Sequence, residues 1–132
     1  MKMKQYLLDT CACIAIIRRN KRVMLKTFSV GHMNCFVSEM TIAELYYGAS
    51  KSGLEKHFHD VDEIRDCFQI VLVFDSLRTF GETKANLERQ GNRLDDMDLL
   101  IGSTALHNGM TLVTHNTRHL SRIVGLELED WE

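Results

Sequence analysis

Proline is absent from the 132 residues, so element boundaries have to be read from glycine, capping side chains and charge. No apolar run approaches the roughly 18 residues a membrane-spanning helix needs. The apolar stretch behind the basic start Met1-Lys2-Met3-Lys4 is broken at Asp9, too early for the core of a secretion signal. The four cysteines, Cys11, Cys13, Cys35 and Cys67, form no CxxC pair and no framework spacing. They read as small buried hydrophobes of a reduced protein, and a cytoplasmic location is expected. Neither sign of charge dominates. A formal net charge of −2 excludes a binder drawn to nucleic acid by bulk charge, so phosphate contacts would need local basic stripes or a cation. Internal repeats, low-complexity tracts and linkers are missing too, and an apolar share of 45 % excludes wholesale disorder. A single domain over residues 1–132 is expected.

What is present is an alternation of short apolar runs with helical patterns. Strands are expected at residues 5–8, 34–37, 69–74, 110–113 and 126–128. The third is the clearest, a run of β-branched and apolar side chains. Helices are expected at 11–19, 23–28, 39–49 after a Ser38 cap, and 57–68. Two more follow, one from an Asp75 or Ser76 cap to about residue 89, closed by Gly91. The other spans 97–107 behind Asp95 or Asp96 and is closed by Asn108-Gly109. This order predicts an α/β fold of three layers, α/β/α, with a short, mainly parallel sheet of four to five strands.

In such a sheet, ligands bind outside the carboxyl ends of the strands. Asp9 closes the run Tyr6-Leu7-Leu8, and Glu44 lies in the helix after the second strand. Asp98 opens the helix before the fourth strand, and Asn116 follows that strand. Each acid has a structural alternative. Asp9 is a good helix cap, Thr41-Ile42-Ala43-Glu44 matches a capping box, and Asp98 adds negative charge at a helix start, worth about 0.3–1 kcal/mol. Ser38 is the better cap for its helix, which leaves Glu44 with nothing to cap. Jointly the pattern points elsewhere. Unit charges about 4 Å apart repel by about 1 kcal/mol in water and about 4 kcal/mol at an effective dielectric of 20. Three gathered carboxylates would therefore cost stability or raise their own pKa values unless a cation binds, and oxygen donors suit a hard one such as Mg²⁺ or Mn²⁺.

Five segments carry a resemblance. They are Leu7-Leu8-Asp9-Thr10; Ser38-Glu39-Met40-Thr41-Ile42-Ala43-Glu44-Leu45 with Tyr47-Gly48; Asp98-Leu99-Leu100-Ile101-Gly102-Ser103-Thr104-Ala105; Leu112-Val113-Thr114-His115-Asn116; and the ending Val124-Gly125-Leu126-Glu127-Leu128-Glu129-Asp130-Trp131. Together they resemble the PIN domain, and within it the VapC-type toxins of bacterial toxin–antitoxin pairs. The resemblance implies an endoribonuclease dependent on Mg²⁺ or Mn²⁺ that cleaves a structured cellular RNA such as tRNA. It gives Asp9, Glu44 and Asp98 as metal-binding and catalytic acids, with Asn116 where many relatives carry aspartate and Thr114 and Thr10 as supporting hydroxyls. It also implies a homodimer and a VapB-like antitoxin whose tail crosses the groove. Tyr46, Tyr47 and Phe58 are candidate apolar contacts for that partner, with buried core as the alternative role of each. Cys11 stands where relatives commonly have asparagine, and the uncharged Asn116 would hold a second ion less firmly.

In this reading Asp9 and Asp98 hold the principal ion, Glu44 acts through a ligand water or as a base, and Asn116 positions water or substrate. Arg18, Arg19, Lys21 and Arg22 form the densest basic cluster, with Arg89, Arg93, Arg118 and Arg122 nearer the acids. His115 and His119 have helical chelate spacing but no cysteine matched to them. Two rivals stand beside this. A receiver-like phosphoryl-transfer domain would place a lysine after a late strand, and Thr114-His115-Asn116 offers none. A degenerate, non-catalytic domain that binds RNA or protein is the other, kept open by Cys11 and Asn116.

Overall fold

Strand β1 (Tyr6–Leu8) lies at the centre of a five-stranded sheet. Its companions are β2 (Cys35–Ser38), β3 (Gln69–Val71), β4 (Thr111–Val113) and β5 (Leu128–Glu129), in the order β3-β2-β1-β4-β5. Every pairing is parallel. The computed structural model describes residues 3–132; the first two residues of the basic start lie outside the described residues. The helices are α1 (Thr10–Ile17), α2 (Lys21–Val30), α3 (Glu39–Ser52), α4 (Glu55–Cys67), α5 (Leu77–Arg89), α6 (Asp96–His107) and α7 (Thr117–Leu120).

Alternation along the strands builds two cores, because successive side chains point to opposite faces. Tyr6 and Leu8, with Cys35, Val37 and Val113, pack under α1–α4 against Ala12, Val23, Leu45, Val61 and Ile64. Leu7, Phe36 and Leu112 pack on the other face against Leu87, Leu99, Ile101 and Leu120 from α5, α6 and α7. Leu7, Leu8 and Leu112 are fully buried, each worth about 1.5–3 kcal/mol relative to exposure. Both faces are covered, which is why these strands read as continuous apolar runs.

Caps fix most boundaries. Ser38 Oγ accepts from the Met40 amide at 3.0 Å, and α3 ends at Gly53 in the left-handed region, φ 70°. This helix runs three residues past the expected 49. The first helix stops at Ile17 rather than residue 19, because Arg19 turns left-handed (φ 62°) and Asn20 caps α2 through the Val23 amide. Ser76 offers no side-chain cap to α5; a 3₁₀ turn at Phe74–Ser76 precedes it, and the Leu77 amide donates to the Phe74 carbonyl instead.

The expected strand 69–74 is halved. As an edge strand β3 pairs only with β2, and beyond Val71 there is no partner to reward extension. Leu72 and Phe74 point to solvent, and the Val73 amide donates to Glu39 Oε2 at 2.7 Å. β-branched composition reports a preference for extended backbone, not a neighbour to pair with. The last strand is also shifted, to Leu128–Glu129, because its register is set by β4.

Candidate active site

The chain moves outward from β1 to β2 and β3, then crosses back to lay β4 on the other side of β1. The carboxyl ends of β1 and β4 therefore form the switch point where parallel sheets open a crevice. Asp9 emerges there, its amide donating to the Val113 carbonyl at 3.0 Å. It is buried, and Oδ1 accepts from the Ala12 amide at 2.9 Å, so Asp9 is indeed the cap of α1. Capping engages Oδ1, and the Thr114 hydroxyl also hydrogen-bonds the carboxyl. Burial pushes its carboxyl above the usual range, against the hydrogen bonds from Thr114 and Ala12, while Asp98 and Glu132 add repulsion.

Glu44 sits in the second turn of α3. The capping-box alternative fails, because Glu44 Oε1 accepts from Thr10 Oγ1 at 2.5 Å, across to the start of α1. Thr10 Oγ1 also lies 3.2 Å from Thr41 Oγ1. Asp98 is in the first turn of α6, but Asp95 supplies the cap to the Met97 amide and Asp96 pairs with Lys84 at 2.9 Å. Asp98 is thus free of both duties. Its carboxyl is raised by burial first, then by Asp95 and Glu44, and His119 lowers it.

Asn116 follows β4. Its amide donates to Thr114 Oγ1 at 2.9 Å, and its Oδ1 lies 2.7 Å from His119 Nδ1. Thr114 therefore links the Asn116 backbone to Asp9. Thr10 hydrogen-bonds Glu44, and Thr114 hydrogen-bonds Asp9.

Asp9, Glu44 and Asp98 share one electrostatic neighbourhood. The thiol of Cys11 is pushed up by burial and then by Asp9, Glu132, Asp98 and Glu44. Among the described residues none of the three acids has an ion-pair partner. Their oxygens do not all approach within 4.8 Å of one another. Thr10 holds Glu44, and like charges resist closer approach. The donor set is hard oxygen, partly desolvated and lacking a counter-charge, which fits a hard divalent cation.

Glu132 was not foreseen in the sequence. β5 runs parallel to β4, so the residues after it emerge at the same carboxyl edge, and parallel pairing of the last strand was the available signal. The histidine pair at 115 and 119 does not converge; His115 Nδ1 meets Asp130 at 3.0 Å while His119 meets Asn116. Arg18 lines a hollow of about 420 Å³ with Cys11, His115 and Glu132. Arg122 donates to the Arg93 carbonyl at 3.3 Å. Tyr46 is tied by its hydroxyl to Asp62 and Arg65, its ring 6.3 Å from Phe58, while Tyr47 is exposed.

The PIN domain family model matches residues 6–126. Among similar proteins, "Ribonuclease VapC2" of Haemophilus influenzae is 34 % identical over 133 residues, covering 98 % of this chain and 99 % of that protein. "tRNA(fMet)-specific endonuclease VapC" of Shigella flexneri is 33 % identical over 131 residues, again covering 98 % and 99 %. The DNA-bound VapBC structure from Salmonella typhimurium contains a chain that superposes with a TM-score of 0.92 at 28 % identity, covering 98 % of this chain and 100 % of that one. A chain of VapBC2 from Rickettsia felis, bound to a fragment of its promoter DNA, gives 0.90 at 30 % identity, covering 96 % and 98 %. The chain belongs to the PIN domain family, in its VapC-type branch.

Proposed function

We propose that this protein is a divalent-metal-dependent endoribonuclease, the toxin of a toxin–antitoxin pair. The observation that carries it is a set of three acids at the switch point of the sheet, two with raised affinity for protons, and none with an ion-pair partner among the described residues. Full-length similarity to VapC ribonucleases supports the reaction class. A structured RNA such as tRNA is the substrate, a reading supported by the name of the Shigella relative. The VapBC complexes support a VapB-like antitoxin as partner. Tyr47, exposed on α3, is the contact for it among the aromatic residues named above.

Asp9 and Asp98 would hold the principal Mg²⁺ or Mn²⁺. When bound, the cation neutralises phosphate charge and makes water more acidic. Glu44, anchored by Thr10, accepts the proton of the attacking water or orients a ligand water. Thr114 keeps the Asp9 carboxylate in place, and Asn116 orients water or substrate from the neighbouring loop. The basic side chains Arg18, Arg93 and Arg118 steer the RNA backbone toward the edge.

Incubation of purified protein with tRNA and Mn²⁺, with and without EDTA, tests this. EDTA-sensitive cutting that disappears in Asp98→Asn supports the nuclease. RNA binding without cutting in Mn²⁺ would instead favour a non-catalytic domain, a reading that the engagement of Asn116 with His119 keeps in view.

A further inference from the structure

Among the described residues, one group brings three metal-ligating side chains to within 4.8 Å of each other: His115, Asp130 and Glu132. It lies beside the acids discussed above and shares no residue with them. His115 Nδ1 stands 3.0 Å from Asp130 Oδ2 and 3.9 Å from Glu132 Oε2. A single N–H proton satisfies one carboxylate, and the second then faces the same nitrogen without a hydrogen bond. Ligands held at about 2.0–2.2 Å from one tetrahedral ion lie roughly 3.3–3.6 Å apart. The two separations bracket that range, so small side-chain rotations suffice to place a cation between the three atoms.

We propose that His115, Asp130 and Glu132 form a second cation site, selective for a transition metal such as Zn²⁺ over Mg²⁺. An imidazole with two carboxylates is the donor set zinc accepts, whereas Mg²⁺ favours oxygen alone and parts reluctantly with its waters. Three protein ligands leave a fourth position open. The hollow of about 420 Å³ beside them, lined by Cys11 as well as His115 and Glu132, gives solvent or a further ligand access to it. All three ligands are accessible, so an ion can load without unfolding the chain.

The fold makes the placement possible. His115 follows β4 and the two acids follow β5, which pairs in parallel with β4, so both loops leave the sheet at one edge. Trp131 packs its ring 5.3 Å from Tyr6 and donates to Glu129 at 2.9 Å, which anchors the stretch between the two acids. A bound ion would clip segment 130–132 to the loop at 115. It would also cancel the charge of Glu132 that presses on Asp9 and Cys11. The inference stands apart from the nuclease reading, because its ligands are different residues.

Isothermal titration of the metal-free protein with ZnCl₂ alone tests it, on wild type, His115→Ala, Glu132→Gln and His59→Ala, an exposed histidine of α4 outside both sites. Loss of an outer-shell partner alone weakens metal binding by about 10–100-fold. The expectation is therefore zinc affinity reduced at least about tenfold in His115→Ala and Glu132→Gln and retained in His59→Ala. Undiminished zinc binding by His115→Ala, or binding lost in His59→Ala instead, would overturn the proposal. Circular dichroism of each variant separates lost ligation from lost folding, and Glu132→Gln preserves shape if His115→Ala misfolds.

Discussion

Asp9 holds two roles that oppose each other in the metal-free protein. As a cap it stabilises α1, and as a buried carboxylate without a cation it is penalised. Its pKa is raised on folding, as is that of Asp98. The stability these groups contribute is therefore complete below the ordinary carboxylate range and lost as pH rises through their folded values. Asp9→Asn keeps an oxygen for the Ala12 amide and removes the charge. It is expected to abolish RNA cleavage yet raise the metal-free unfolding temperature at pH 7, with the gain vanishing near pH 4. Thermal denaturation at the two pH values checks this, and an Asp9→Asn protein less stable than wild type at pH 7 would refute it. Glu129 runs the other way: burial raises it, but hydrogen bonds from Trp131 and Lys4 outweigh burial and leave it lowered. Its contribution is present above the ordinary carboxylate value and lost as pH falls through the folded one. Thr10→Val, which removes the bond to Glu44, should lower kcat for RNA cleavage while leaving KM within about twofold.

At the scale of elements, caps place the acids. Ser38 starts α3 and so fixes the turn on which Glu44 lies. Ser38→Ala should cost about 1 kcal/mol of stability, measured by urea unfolding. α6 approaches the segment after α7 closely enough that a Cβ on Gly102 would lie 2.7 Å from Ile123 Cδ1, with Leu126 Cδ2 at 3.6 Å. Gly102→Ala is expected to destabilise by about 1–3 kcal/mol. Since the clash is with the end of one side chain, Ile123→Val in the same protein should recover much of the loss. The elements also show where sequence patterns mislead. Residues 69–74 have the strongest strand composition, yet they lie at an edge and only three extend. Gly53, Gly91 and Gly109 do mark helix ends, each with positive φ.

For the whole molecule, the governing fact is that the sheet gathers anionic side chains from the end of β1, from α3 and from α6 at a single edge. Mn²⁺ should therefore raise the unfolding temperature by mass action, and more at pH 7.5 than at pH 5, where protons compete for carboxylates whose pKa values are raised. An equal shift at both pH values would contradict carboxylate ligation. RNA binding should weaken steeply with added salt, since a net charge of −2 leaves only local cationic side chains to hold phosphate.

The sequence by itself determined the class of fold, the order of the five strands and of α1 to α6, and where Asp9, Glu44, Asp98 and Asn116 stand relative to the strand ends; the one-turn α7 was not legible in it. Period-two and helical spacing, with capping residues, are local signals, and the chain order of acids relative to strands follows from them. Tertiary structure decided which duty each acid carries: Asp95 and Asp96 serve the helix start while Asp98 is left over, and Glu44 meets Thr10 rather than its own cap. It also decided that Glu132, Asp130 and His115 meet. Proximity between residues far apart in the chain depends on which strands become neighbours and on how far each helix turns, and those are properties of the packed core that no local pattern encodes.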